Sequence, residues 1–518
     1  MGNLRGDSLL AVLLAVAGIA ACGSGGAGTA NDDGRDRDAG AAANDGATRA
    51  PDVADAGDAS VAFVDPFAPQ SDTSEGLTNV SPDLDTLLER GALADACASY
   101  QPGKSTRKEM LLCGKSMFFD EGFGTAGVPV AFVQFLAQNF PNEIGTGFTK
   151  LGMVADPRST NGYPLGLAPG AKLGSIETLA FTCASCHVAK LPDGRYAIGA
   201  PNLGLDYGTM NLALAVFPTV ASGFAQASAQ DPDAMRKVQP LIDKVNADAA
   251  LKGKLLAAML PLLGSAGNAP KFPPETQHLY ASWKTGTMDF FIEPLPFNDH
   301  VHTISKISAL WGMPTSDEIR ASGMSSAMLG HTGSTASLMN FAKSFVQLGG
   351  GDKTKWPVDK LEPLVAYVYS LRAPKTPTFA DATLVAKGRD LFVGKLCLGC
   401  HGAPRGSGAK VYTFGEIGTD AQMKLWCDPD QTGQPEYDIR FEPGDALTHG
   451  IKSPRLVGLW SIGRLLHNGS VDSLEELFCA SGPRTPIATP AYGNEGHTFG
   501  CELEVDEKTA LLAYLRAH

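Results

Sequence analysis

Two short stretches of this 518-residue chain carry the same pattern of reactive side chains. Cys183-Ala184-Ser185-Cys186-His187 and Cys397-Leu398-Gly399-Cys400-His401 both read CxxCH. Two thiols one helical turn apart can add to the two vinyl groups on one edge of a porphyrin. The adjacent His then projects over the ring and binds the iron through an imidazole nitrogen. A CxxC in an exported chain also serves as a thiol–disulfide redox pair or as half of a zinc site. Neither use requires the following His, and two copies argue against accident. The spacing therefore points to two covalently bound haem c groups, with His187 and His401 as proximal ligands.

The chain repeats itself around these motifs, and the repeat says which elements must position them. Gly114-Lys-Ser-Met-Phe118 precedes the first motif and Gly388-Arg-Asp-Leu-Phe392 the second. Leu310-Trp311 follows the first and Leu459-Trp460 the second. His331-Thr-Gly333-Ser334 with Ser337-Leu338 then matches His467-Asn-Gly469-Ser470 with Ser473-Leu474. Last, Val358-Asp359 leads to Leu364, Ala366 and Tyr367, as Val505-Asp506 leads to Leu511, Ala513 and Tyr514. Apolar residues recur at helical spacing in Val385–Val393, Leu361–Leu371 and Glu507–Leu515. The expected fold class is mainly α, with two tandem cytochrome c-like domains in which a first helix precedes CxxCH and a last helix packs across it. Pro374 and Pro377 mark the boundary between them. The first domain carries insertions at Phe119–Leu179 and at Pro232–Leu263, the latter helical in pattern and expected outside the haem core.

The chain begins with a short basic stretch ending at Arg5, followed by an apolar run from about Leu9 to Ala21. That run is shorter than the roughly 18 to 20 residues that span a bilayer. It ends in Ile19-Ala20-Ala21-Cys22, which resembles a bacterial lipobox whose Cys is lipidated after cleavage. The alternative is an ordinary secretory leader with an incidental Cys. Either way the chain is expected to be exported, as a periplasmic or outer-membrane-anchored lipoprotein that meets the membrane only through its lipid. Residues 22–78 are rich in Ala, Gly and Asp and are expected to form a disordered acidic tether. The domains expected after it are 79–375 and 376–518. Some of the net charge of −13 sits in the tether, and nothing is basic enough to suggest nucleic acid. Ten cysteines need accounting in an oxidising compartment. With Cys22 and the four motif thiols set aside, Cys97, Cys113, Cys427, Cys479 and Cys501 remain. Cys97–Cys113 is the first expectation for a disulfide, and the other pairings stay open.

The Leu466-His467-Asn468-Gly469-Ser470 segment, followed by Ser473-Leu474, resembles the di-haem cytochrome c peroxidase and MauG-like superfamily. Cys183–Met210, Leu456–Leu474 and Gly496–Gly500 are most similar to its rubber-oxygenase-like branch. The resemblance covers roughly residues 105 to 518. It implies one six-coordinate haem that carries electrons and one haem that reacts with peroxide or dioxygen. Calcium between the domains is also known among such relatives, but no Asp/Glu loop in this chain identifies a site. Where many relatives have a Trp before the Gly-containing turn of the first domain, this chain has His331.

The repeat bears on which iron is open. Between His467 and Val505 the second half carries an extra segment with His497, while between His331 and Val358 the first half has no second His. His497 is therefore expected to complete haem 2 opposite His401, with Met423 as the rival ligand that would give a higher potential. His467 is expected to hydrogen-bond in the second shell of that haem. For His331 three roles stay open: second shell, distal ligand of haem 1, or acid–base residue. Trp311 and Trp460 are expected to pack against porphyrin, or to assist electron transfer. Met324, Met328 and Met339 are expected as packing around haem 1, His300 and His302 lack a third metal ligand, and neither Glu293 nor Asp299 is singled out as an acid–base group.

The functional expectation is an oxidoreductase that activates peroxide or dioxygen at haem 1, supplied by haem 2. Its expected partners are a small redox protein or quinol-linked donor and an organic substrate. A non-catalytic electron-transfer cytochrome and a gas-binding or sensing cytochrome are the alternatives.

Overall fold

Thr106 opens the first long helix because it and Glu109 close a capping box. Glu109 N–H donates to Thr106 Oγ1 at 3.3 Å, and Thr106 N–H donates to the Glu109 carboxylate at 2.7 Å. Helix α1 follows at Arg107–Asp120, then the motif helix α2 at Cys183–His187 and α3 at Val358–Ser370. The second half repeats the set with α4 (Ala382–Gly394), α5 (Leu398–His401) and α6 (Val505–Arg516). Asp381 caps α4 by accepting from Thr383 N–H at 2.7 Å, and Glu504 with Glu507 caps α6. The apolar spacing seen in Leu361–Leu371, Val385–Val393 and Glu507–Leu515 falls on α3, α4 and α6.

These facts come from a computed structural model that describes residues 66–67, 71–89, 91–213 (except 126, 173 and 211), 232–263, 283–289, 303–318 (except 316), 329–377, 381–432 (except 409, 427 and 429) and 442–518. Residues from Pro66 to His518 lie in one compact unit. The leader, Cys22, Cys427, Glu293, Asp299, His300, His302, Met324 and Met328 lie outside the described residues, as does most of the expected tether. Phe67 and Leu77, inside that expected tether, are buried, so folded structure begins before Thr78. Phe67 stacks on His518 at 4.4 Å and meets Tyr514 edge-on at 5.5 Å.

The fold is mainly helical with small antiparallel sheets. Helix α1 crosses α3, and α4 crosses α6, at equivalent residues. A Cβ on Gly114 would run into the Pro363 carbonyl and Tyr367 Cβ, and one on Gly388 into the Ala510 carbonyl and Tyr514 Cβ. Phe118 packs on Tyr367 at 5.9 Å, and Phe392 on Tyr514 at 5.6 Å. Residues that repeat in the sequence thus occupy repeated positions in space. Each half also owns a two-stranded antiparallel sheet, a hairpin whose strands a long connection joins: β1 (Thr287–Met288) pairs with β2 (Ser305–Lys306), and β3 (Val411–Thr413) with β4 (Gly450–Lys452).

The Pro232–Leu263 stretch forms two helices, Pro232–Ala247 and Ala249–Leu263. Asp248 starts the second by accepting from Ala250 and Leu251 N–H. Val238, Leu241, Val245, Leu255 and Met259 pack there with Phe132, Phe135 and Phe140 of the earlier insertion. This core is separate from the one around Trp311 and Tyr367 and reaches the first motif only at its margin, through Cys186. Cys97 and Cys113 form the expected disulfide. No described helix is long and apolar enough to cross a membrane.

The Gly388 crossing yields a stability prediction. Gly388→Ala forces a methyl group into the α6 backbone and should cost about 1–3 kcal/mol or more. Gly394→Ala, in open space at the end of the same helix, should change little. Thermal melts followed by circular dichroism read the difference, and equal midpoints would contradict the tight crossing.

Candidate haem sites

The first motif is held by hydrogen bonds from both directions. Thr182 Oγ1 accepts from Ala184 N–H at 3.3 Å and donates to the Phe119 carbonyl at 3.1 Å, which ties α2 to the end of α1. On the other side Gly199 N–H donates to His187 O at 2.7 Å and Asn202 N–H to Cys186 O at 2.8 Å. The Asn202 side chain donates to Ser185 O and to Gly152 O. Gly199 has φ +82°, and a Cβ there would press on the Trp311 indole. The stretch after the motif, Gly199–Asn202, thus clamps its carbonyls in place.

The second motif is likewise tied to the first helix of its own half. Cys397 N–H donates to the Phe392 carbonyl at 3.2 Å. His401 Nδ1 donates to the Gly406 carbonyl at 2.6 Å, which fixes the ring and leaves the Nε2 lone pair for a metal. Burial, and then the neighbouring His497, push the His401 imidazole down to about 4; burial takes His187 to about 4 as well. Both rings are neutral at neutral pH, the form that binds iron.

His497 is the ring that faces His401, with centroids 6.4 Å apart. Two imidazoles bound to one metal ion from opposite sides at about 2 Å each have centres roughly 6 Å apart. His497 holds a left-handed φ of +56°, a conformation non-glycine residues adopt at a cost of about 1–3 kcal/mol. It is kept there by its N–H bond to Ile417 O at 3.1 Å and by Phe478 and Phe499, which flank the ring edge-on. Its Nδ1 is buried with no hydrogen-bond partner. Met423 sits buried in the turn Gln422–Leu425. Among the described residues, no second imidazole faces His187 as His497 faces His401, and Met339 is partly buried against the Trp311 core.

The donor set fits covalent haem. Cys183, Cys186, Cys397 and Cys400 are unpaired, while Cys97–Cys113 and Cys479–Cys501 are joined. Burial pushes the Cys183 thiol up to about 12 and those of Cys186 and Cys397 to about 11. A thiol–disulfide exchange pair needs the opposite, a thiolate stabilised at low pH. His187 Nδ1 is buried without a hydrogen-bond partner. Among the described residues no group of three or more His, Cys, Asp or Glu is placed to hold a metal ion.

His331 and His467 join the two halves reciprocally. Lys306 N–H donates to His467 O and Lys452 N–H to His331 O, both at 2.9 Å. Gly469 seats on Thr287 and Lys306 of the β1–β2 hairpin, and Gly333 on Val411 and Lys452 of β3–β4. Each turn is therefore lodged on the hairpin of the other half. His331 Nε2 lies 3.4 Å from both Ser308 Oγ and Lys306 O. A carbonyl only accepts, so the neutral ring making that contact carries its proton on Nε2 and presents Nδ1 as an acceptor. His467 packs edge-on against Phe414 at 5.9 Å, and its buried Nδ1 has no hydrogen-bond partner, so the bond expected of it is not made through that atom. Trp311 and Trp460 are packed and bonded, donating to Ile198 O and Pro374 O.

Three cations escaped the sequence reading: Lys306, Lys452 and Arg455. A signal existed, since Lys306 and Lys452 stand equally far ahead of Leu310 and Leu456 and of Gly312 and Gly458. The Cys479–Cys501 pairing had also stayed open.

No protein-family model matches this sequence, and no curated protein matches it. Solved structures that resemble the chain include a hydrazine synthase of Kuenenia stuttgartiensis pressurised with xenon. It is 15% identical, covers 58% of this chain and 92% of its own, and has a TM-score of 0.27. Another is a MauG-like protein associated with microbial copper homeostasis, 17% identical over 41% of this chain and 72% of its own, with a TM-score of 0.26. Likeness this loose assigns neither fold nor activity, and the site itself has to carry both.

The Cys479–Cys501 disulfide closes the loop that bears His497. A loop of about 20 residues gains roughly 3 kcal/mol from such a bond. Replacing both cysteines by Ser should lower stability by about that amount and speed proteolysis between them. An unchanged denaturation midpoint would contradict the bond.

Proposed function

We propose that this chain is an exported di-haem c-type cytochrome oxidoreductase, built from two cytochrome c-like domains of the peroxidase and MauG-like type. In this reading Cys183, Cys186 and His187 would hold haem 1, and Cys397, Cys400, His401 and His497 would hold haem 2. The observation that carries it is the buried His401–His497 pair, two neutral imidazoles facing each other across 6.4 Å beside two unpaired cysteines. Haem, when bound, supplies one-electron chemistry and, at an iron with an exchangeable position, a place for peroxide or dioxygen.

The chain's own residues do the rest. The Gly406 carbonyl orients His401, and Ile417, Phe478 and Phe499 hold His497 against its strained backbone, so the pair is kept in place as electrons come and go. The asymmetry of the repeat, with a second His after the His467 turn and none between His331 and Val358, supports haem 1 as the reacting centre. His331, neutral because burial and then the Lys306 charge push it down to about 4, is the acid–base candidate beside the Ser308 segment. Electrons would come from a small redox protein or quinol-linked donor. The lipobox-like Cys22 supports a periplasmic or outer-membrane lipoprotein.

Optical and EPR titration of the purified protein with cyanide and hydrogen peroxide tests the reading. One low-spin iron that ignores both ligands and one high-spin iron that binds them is the expected result. His497→Ala should convert the low-spin signal to a ligand-binding one while leaving two haems per chain. Two low-spin irons inert in every redox state would leave an electron carrier instead.

A further inference from the structure

Buried cations in this protein normally have a carboxylate. Lys115 meets Glu89 at 3.2 Å, and Arg405, held between the two halves, forms a two-pronged pair with Glu318. Lys306, Lys452 and Arg455 break the pattern: among the described residues none of them makes an ion pair. Lys452 Nζ donates only to Ser453 O at 3.1 Å, and Arg455 donates to Trp311 O at 3.0 Å and Ala309 O at 2.7 Å. Lys306 Nζ has no partner among the described residues. Their charges also oppose one another. Burial, followed by Arg455, pushes Lys306 down to about 8 and Lys452 to about 7, and burial followed by Arg405 takes Arg455 to about 10. Lys452 is buried, and Lys306 and Arg455 are half-buried. Gathering like charges at a largely buried junction is costly unless an anion completes it.

The two lysines stand on equivalent hairpin strands, one toward each motif. Lys306 is two residues from Ser308, whose backbone lies beside His187. Lys452 precedes Ser453, which packs with Cys400 O around Gly408, and its charge reaches His401. The Arg455 charge acts on both lysines.

Resting on the haem reading, we propose that Lys306, Lys452 and Arg455 form a shared carboxylate site at the junction of the halves, which receives the propionates of the two haems. Lys306 serves the haem of His187, Lys452 serves that of His401, and Arg455 bridges them. Each cation stabilises the added electron of its own haem and holds the propionate ionised.

The test uses the full-length, haem-loaded protein with Lys306→Met, Lys452→Met and the conservative Lys306→Arg and Lys452→Arg. Covalent haem is counted first. Spectroelectrochemical titration then gives each midpoint potential against pH, and resonance Raman reads the propionate bending bands. Lys452→Met should lower the potential of the bis-imidazole haem, raise the pH of its propionate-linked step and move its Raman band, leaving the other haem in place. Lys306→Met should do the same at the haem of His187 and leave the bis-imidazole haem in place, and each Arg variant should restore the wild-type values. Two haems with unmoved potentials and bands in both Met variants would overturn the proposal while leaving the haem reading intact, as would equal shifts at both haems in each variant. Wild-type potentials that move on adding inorganic phosphate would also overturn it, by showing a site that takes free anions. A wild-type protein that carries no haem would remove the functional reading itself and this site with it.

Discussion

Everything in each half hangs on a place where two helix backbones touch. Helices normally sit 8–10 Å apart, spaced by the side chains between them. At Gly114 and at Gly388 that side chain is missing, and the partner helix advances until its carbonyl fills the space. A contact this close fixes both the crossing point and the positions of the aromatic rings beside it. It also sets the end of the first helix of each half, and the motifs are tied to that end. Thr182 bonds to the Phe119 carbonyl and Cys397 to the Phe392 carbonyl. The cysteines and histidines of each motif therefore inherit their placement from a glycine in the helix before them.

The two halves are joined by an exchange. Each half lays its His-x-Gly turn on the hairpin of the other, with paired 2.9 Å hydrogen bonds between a lysine N–H and a histidine carbonyl. Gly312 and Gly458 continue the interlock, the first against Arg405 and Val457 and the second against the Trp311 ring. Exchanged contacts of this kind make each half part of the other's core. They also concentrate positive charge there, because the hairpin strands bring Lys306 and Lys452 into one interior. Among the described residues these cations make no ion pair, unlike the Arg405–Glu318 pair nearby, where the charge is balanced within the protein.

Much of the architecture was legible because its causes are local or repeated. The CxxCH spacing is a property of one helical turn, and the apolar periods of Leu361–Leu371, Val385–Val393 and Glu507–Leu515 act over a few turns. The internal repeat exposed Gly114, Phe118 and Tyr367 as counterparts of Gly388, Phe392 and Tyr514. The short Cys97–Cys113 loop was readable for the same reason. The choice between His497 and Met423 was not, since both lie far along the chain from His401 and both are chemically able ligands. The start of the folded region was read too late, because Phe67 is a single aromatic residue in an acidic, small-residue stretch and its ring partners are at the opposite end of the chain.

The amino-acid sequence by itself determined the chemistry that is available: two pairs of thiols, two adjacent imidazoles and two copies of the helices that flank them. These depend on covalent order and on periods of three to four residues. Only the tertiary structure decided which distant groups share a space with that chemistry. It set His497 opposite His401, joined Cys479 to Cys501, and brought Lys306, Lys452 and Arg455 to the junction with no ion pair among the described residues. Those pairings follow from how the helices cross and how the hairpins interlock, and no local pattern encodes the distance between residues that meet only after the chain has closed on itself.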